Sequence, residues 1–392
     1  MTSQLLETDK RESRVAYFST YSPRQCGIAT FTKDLISSID QVNGVKQSVI
    51  AINEKGAIYA YGKRVRLSIG RDSPEDYVRA AEYINSSGID LVNLQHEFGL
   101  FGGEYGEYIT IFLEKINKPV VTTLHTVQQN FNPKALEVLR KITDKSAAIV
   151  VIAHSATKIL RQQGILCKNF VTIPHGCPDI QFIENNESVK ESVGLGNRFV
   201  ASTFGLISSG KGIEYAIRAL PPVVKKEPRM LYLIVGQTHP EVRKQEGEKY
   251  RNKLMKIVNE LGLDEHVRFD NRFLTKLELI KYLQATDIYI TPYNSPDQIS
   301  SGTLTYALGA GKAVVSTPYL HAQETLANNR GIFCRFKDPD SISRAMIKLL
   351  DENLRRTIQK RAYKYSRRFV WTNVAKKYIQ LFKKVIKNNE ST

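Results

Sequence analysis

Short apolar runs recur along the chain, separated by longer stretches whose apolar residues fall at helical spacing. In the first half the runs are 15–19, 48–52, 90–95, 120–125, 148–153 and 170–173. Several are continuous rather than alternating, the pattern of strands buried on both faces of a parallel sheet. The stretches between them read as helices, among them 31–39, 74–86 and 133–143. The second half repeats the scheme with runs at 199–205, 231–236, 267–270, 287–292, 313–317 and 331–334. Strands alternating with helices predict an α/β, doubly wound fold, here present twice.

The two units are expected at 1–190 and 197–370, divided in the polar stretch 177–197. A last helix over 372–388 places Val374, Tyr378, Leu381, Phe382 and Val385 on one stripe. One apolar stripe predicts a docked helix, and the first unit is its expected partner.

Composition narrows the class. The 392 residues exceed what one hydrophobic core usually serves. No apolar run approaches the roughly 20 residues needed to span a bilayer, and 1–14 is polar, without the core of a signal peptide. Four scattered cysteines show no metal-ligand spacing, so a reduced, cytoplasmic setting is expected. The net charge of +17 is lopsided: residues 1–195 hold 22 Lys/Arg against 21 Asp/Glu, and 196–392 hold 34 against 18. Residues 354–388 contain twelve Lys/Arg and no acid. That stretch reads as a solvated helix face or as a peripheral contact with an anionic membrane. No nucleic-acid recognition motif accompanies it.

Candidate chemistry lies in the turns after the strands. Gly205-Leu-Ile-Ser-Ser-Gly-Lys211-Gly212 follows one strand and opens a helix expected over 213–220. Glycine lets the backbone approach a diphosphate there, and Lys211 with a helix N-terminus can neutralise it. Further on, Gln298-Ile-Ser300-Ser301-Gly302-Thr303-Leu-Thr-Tyr306 opens a helix of small residues. Its hydroxyls and first-turn amides suit phosphate oxygens. Ser301 and its neighbours also suit an ordinary helix cap, and the two roles are compatible. In the first half, Gly27 sits in a glycine loop (23–32), Glu97 in the Gly-rich turn 95–103, and His125 at the end of 120–125.

These motifs resemble the family 4 (group 1) glycosyltransferases of the GT-B fold, over nearly the whole length. That resemblance implies two Rossmann-like domains facing across a cleft and a metal-free, cofactor-free, retaining transfer from a nucleotide sugar. Gly205, Lys211 and Gly212 match the family's diphosphate turn. The family's Glu-x7-Glu motif falls on Gln298 and Tyr306, so both acids are absent. Gln298 is then expected to meet donor sugar hydroxyls, Tyr306 to lie near the ribose, and Arg272 to supply the charge of a family Arg replaced by Leu206. His125 and Glu97 are expected near the reacting sugar and acceptor. His175, in an Ile-Pro-His-Gly turn, reads as structural.

The resemblance implies a GDP-mannose or UDP-glucose type donor and a carbohydrate or lipid-linked acceptor. An epimerase or phosphorylase on the same fold, or a non-catalytic nucleotide-sugar-binding protein, remains open at this level. A dinucleotide oxidoreductase is disfavoured, because no Gly-x-Gly-x-x-Gly follows the first strand.

Overall fold

The computed structural model of the protein describes residues 12–167 and 169–391; the first eleven residues of the 1–14 segment lie outside that range. Two parallel sheets form, one in each half of the chain. The first contains β1 (Ser13–Ser19), β2 (Val45–Asn53), β3 (Val65–Gly70), β4 (Leu91–His96), β5 (Val120–Leu124), β6 (Ala148–Val151) and β7 (Phe170–Thr172). The second contains β8 (Phe199–Phe204), β9 (Met230–Val235), β10 (Val267–Asp270), β11 (Ile288–Thr291), β12 (Ala313–Ser316) and β13 (Ile332–Phe333). Helices cover both faces of each sheet, so β4, β8 and β9 are buried at every position. This burial is why they read as continuous apolar runs.

Strand order decides where a ligand can sit. It is β3-β2-β1-β4-β5-β6-β7 in one sheet and β10-β9-β8-β11-β12-β13 in the other. Each sheet therefore reverses direction once, between β1 and β4 and between β8 and β11. The connecting helices diverge at such a reversal and leave a crevice at the carboxyl ends of the flanking strands. The loops after β1, β4, β8 and β11 hold most of the motifs singled out in the sequence.

Two differences from the sequence reading have simple causes. β3 was not among the expected strands: it is an edge strand, half-exposed, and its Val65-Arg-Leu-Ser-Ile-Gly alternates instead of running apolar. The helix expected over 213–220 ends at Arg218, and a separate helix, Leu220–Lys226, follows with Pro221 and Pro222 in its first turn. Proline lacks the N–H that would continue the first helix but is tolerated at the start of the next.

The C-terminal helix, Trp371–Glu390, crosses back to the amino-terminal lobe. It buries Val374, Tyr378 and Phe382 completely, in one core with Tyr17, Phe31 and Leu35. Each such side chain contributes roughly 1.5–3 kcal/mol, so the helix is a fixed part of that lobe. Its outward face carries Lys376, Lys377, Lys383, Lys384 and Lys387. The two chain crossings between the lobes are tied together: Cys177 N–H donates to Phe369 O and Trp371 N–H to Cys177 O, both at 2.9 Å. No helix among the described residues is long and apolar enough to cross a membrane.

Candidate active site

The carboxy-terminal half of the cleft is built on the loop after β8 and the helix Gly302–Gly309. Gly205 takes φ +119, a conformation few other residues adopt. A Cβ there would lie 3.4 Å from Thr303 Cγ2 and 3.9 Å from Lys211 Nζ, so the glycine turn, the lysine and the helix start converge. Lys211 Nζ donates to Tyr293 Oη at 2.8 Å and lies 4.2 Å from the centre of the Tyr293 ring. Tyr293 Oη also lies 3.2 Å from Thr303 Oγ1 and 3.4 Å from Ser301 Oγ. Burial works to raise the Tyr293 phenol, but the Lys211 ammonium and the hydrogen bonds from Lys211, Ser301 and Thr303 outweigh it and hold the phenol below its ordinary value. An ammonium, three hydroxyls and a helix N-terminus thus share one small region, an arrangement that suits a polyanion.

Ser301 serves this helix structurally. Its Oγ accepts from Leu304 N–H at 3.3 Å, an N-cap, and its own N–H donates to His321 Nδ1 at 2.9 Å. The Ser301 amide expected for phosphate is therefore taken, because a buried histidine needs it. Burial holds His321 down to about 3, so it is neutral, with Nδ1 accepting and its proton on Nε2. The N–H groups of Gly302 and Thr303 remain, since first-turn amides have no intrahelical acceptor. Ser300 is half-buried, and its carbonyl accepts from the exposed Gln298 side chain at 2.6 Å.

Two expectations are corrected. Tyr306 is 5% exposed, and its hydroxyl donates to the Asp34 carboxylate of the other lobe while accepting from Trp371 Nε1 at 3.2 Å. The phenol is thus occupied at the lobe interface and not offered to a ribose. Arg272 does not substitute for the family's arginine: it is exposed and paired with Asp270 at 2.7 Å and Glu278 at 3.1 Å. All its side-chain partners lie on β10 or the helix that follows, and none is shared with Lys211.

On the amino-terminal side, Gly27 opens the helix Gly27–Val42, which Cys26 caps by accepting from Ala29 N–H at 3.2 Å. A Cβ on Gly27 would meet nothing within 4 Å, so this turn faces open space. Glu97, half-buried, accepts from the Thr126 hydroxyl. Burial raises its carboxyl above the usual range, against the pull of Thr126 and the Phe98 and Gly99 amides. His125 is 8% exposed and pushed by burial down to about 3. Its ring meets Phe31 edge-on at 4.8 Å, and Phe31 meets His175 at 5.1 Å. His175 Nε2 in turn lies 2.8 Å from where a Cβ on Gly302 would stand. His175, structural in the sequence reading, thus joins the two sides of the cleft. Two adjoining hollows of about 350 Å³ each lie at the carboxyl edge of this sheet and share Arg71 and Asp72.

Further polar contacts join the lobes around the cleft. Lys276 pairs with Asp34 at 2.8 Å, Gln237 donates to Gln25, and the Glu324 carboxylate accepts from the N–H groups of His154 (3.0 Å) and Ser155 (2.6 Å). Sequence reasoning missed Tyr293, Asp34, His321 and Lys276. Nothing local marks them, because their partners are remote in sequence or become adjacent only in the fold.

Comparison with known proteins bears on the family and the fold. Residues 185–365 match the family described as Glycosyl transferases group 1. An uncharacterized glycosyltransferase of Methanocaldococcus jannaschii is 24% identical over 259 residues, a match covering 64% of this chain and 62% of that protein. A GDP-mannose-dependent monoacylated alpha-(1-6)-phosphatidylinositol monomannoside mannosyltransferase of Corynebacterium glutamicum is 23% identical, covering 86% of this chain and 88% of its own length. Among solved structures, sucrose-phosphate synthase of Thermosynechococcus elongatus superposes with a TM-score of 0.79 at 16% identity, covering 96% of this chain and all of that one. HepE of Anabaena, in complex with UDP and glucose, superposes with a TM-score of 0.74 at 15% identity, covering 94% and 99%. The chain thus takes the GT-B fold of these neighbours, and its residues 185–365 match the group 1 glycosyltransferase family.

Proposed function

We propose that the protein transfers a hexosyl group from a nucleotide sugar to a hydroxyl of a carbohydrate or lipid-linked acceptor, with retention and without a metal ion. The observation that carries this reading is the convergence of Gly205, Lys211, Thr303 and the first-turn amides at the β8/β11 crevice. Departure of the nucleoside diphosphate builds negative charge on its phosphates, and preformed positive charge in a partly dry cleft lowers the cost of that step. Lys211 and the N–H groups of Gly302 and Thr303 supply it, in the role a divalent cation plays elsewhere. Gln298, exposed at the rim, meets donor sugar hydroxyls, and Glu97 and His125 face the reaction from the other lobe. The hollows around Arg71 and Asp72 hold the acceptor.

GDP-mannose and UDP-glucose are the donors to try first, as the relatives' names suggest both. The test is a thermal-shift panel of GDP-mannose, UDP-glucose, UDP-GlcNAc, GDP and UDP, followed by a transfer assay with the donor that binds. A selective rise in melting temperature that Lys211→Ala abolishes supports the reading. No shift with any of them overturns it and favours a phosphorylase, which needs phosphate and no nucleotide.

The lysine face of the C-terminal helix supports peripheral contact with an anionic membrane. Co-sedimentation with phosphatidylglycerol vesicles at low salt tests it, and no binding ends that idea.

A further inference from the structure

A run of hydrogen bonds leads from a backbone carbonyl to His125, and each link has one possible polarity. Asn93 and Gln95 stand two residues apart on β4 and so share a face of the sheet. Asn93 Nδ2 donates to the Val121 carbonyl at 3.0 Å. A carbonyl only accepts, so the Asn93 amide cannot be reversed and its Oδ1 points the other way. Gln95 Nε2 donates to that Oδ1 at 2.5 Å and reaches Thr123 Oγ1 at 3.5 Å. Its Oε1 is left 2.8 Å from His125 Nε2, and an amide oxygen can only accept.

His125 therefore carries a proton on Nε2. Burial keeps the ring neutral over the physiological range, so that proton is its only one. Nδ1 is then a bare lone pair, with no hydrogen-bond partner among the described residues. The Phe31 ring meets the imidazole edge-on at 4.8 Å. All the groups that set this tautomer belong to β4, β5 or the residue after β5, and all are buried.

We infer that Gln95 is a positioning residue that fixes His125 as the Nε2–H tautomer, so that Nδ1 is presented to the donor sugar as a hydrogen-bond acceptor. This rests on the proposed function. An acceptor at that place takes a sugar hydroxyl, which can donate. It rejects a donor bearing a carboxylate or carbonyl oxygen there, because lone pair would face lone pair without a proton between them. Gln95 thereby contributes to specificity without touching the sugar, and Asn93 contributes by holding Gln95.

The tautomer is read directly by long-range proton–nitrogen correlation spectra of the full chain labelled with 15N-histidine, the His125 signals being assigned by their loss in His125→Asn. The wild type is expected to show one tautomer, protonated on Nε2. Gln95→Met should give a mixture. In parallel, Gln95→Met should bind UDP-glucose or GDP-mannose, whichever the wild type binds, about tenfold more weakly, with the affinity for free UDP or GDP unchanged. An unchanged affinity for free UDP or GDP shows that the methionine variant is folded, so that a folding defect is not read as a tautomer effect. A wild-type proton on Nδ1, a single unaltered tautomer in Gln95→Met, or equal loss of sugar-nucleotide and free-nucleotide binding overturns the inference. The spectra require no nucleotide, so a failure of the donor reading itself is seen separately, as absence of binding by the wild type.

Discussion

Tyr306 donates its phenolic proton to Asp34, joining a helix of the carboxy-terminal lobe to the first helix of the amino-terminal lobe. The position that resembles the family's second motif acid is thus spent on holding the lobes together. Burial, and after it the charge of Asp34, raises the phenol well above its ordinary value, so it stays protonated and keeps donating. Lys276 completes the contact from the same lobe as Tyr306, at 2.8 Å from the carboxylate.

Tyr306→Phe should destabilise the protein by about 1–3 kcal/mol, the cost of leaving a buried hydrogen-bond partner unpaired. Tyr306→Glu, which restores the family's acid, should be worse, because it sets two carboxylates face to face. Adding Asp34→Asn to Tyr306→Glu should recover much of the loss. Urea denaturation of the four proteins checks this. A Tyr306→Glu protein as stable as the wild type contradicts the contact.

Lys211→Ala should reduce turnover by on the order of 10²-fold or more, as for other lost transition-state charge contacts. Tyr293→Phe keeps the ring beside the ammonium but removes the hydroxyl that holds it, and should cost less, about tenfold. Steady-state kinetics on the folded variants compare them. Near-normal turnover in Lys211→Ala removes this lysine from the mechanism.

Gly212 takes φ +63, and a Cβ there would stand 2.1 Å from the Pro292 carbonyl oxygen. The Pro292 carbonyl is backbone, and the Cβ is fixed to the backbone of residue 212, so neither moves cheaply. Gly212→Ala should therefore displace the Lys211 turn and destabilise the fold by roughly 1–3 kcal/mol. Loss of nucleotide binding should accompany the loss of stability. An alanine variant with unchanged melting temperature and nucleotide binding would show that the turn is not so confined.

Stability should fall with acid well above the carboxylate range. His96, His125 and His321 are held by burial at about 3, against an ordinary 6.5. Below about pH 6.5 the unfolded chain takes up protons that the folded chain refuses, so unfolding is favoured as pH drops. Above pH 6.5 both states are neutral at these sites and the effect vanishes. Three such sites give a limiting slope of about 4 kcal/mol per pH unit. Urea midpoints between pH 7.5 and 5.5 measure it, and a flat profile contradicts the burial of neutral histidine.

Much of the fold is legible in the sequence, because the hydrophobic pattern that makes a strand or a helix is local. Runs such as Leu91–His96 and Phe199–Phe204 announce buried parallel strands, and the stripe through Val374, Tyr378 and Phe382 announces a docked helix. The glycine turn ending in Lys211 and Gly212 was equally visible, since its conformational demands fall on consecutive residues. Edge strand β3 escaped, because half-exposure removes the apolar run that marks the others.

What only the tertiary structure decided is partnership. Apolar burial is non-directional, so periodicity says that a residue is inside without saying what it meets. Strand order, and with it the crevices between β1 and β4 and between β8 and β11, depends on pairings between distant segments. Asp34 meets Tyr306 across 272 residues and Lys276 across 242. Gln95 reaches His125 only because β4 and β5 pair in one register. Hydrogen bonds need a donor and an acceptor within about 3 Å in a set direction. That geometry exists only once the chain has brought its remote parts together.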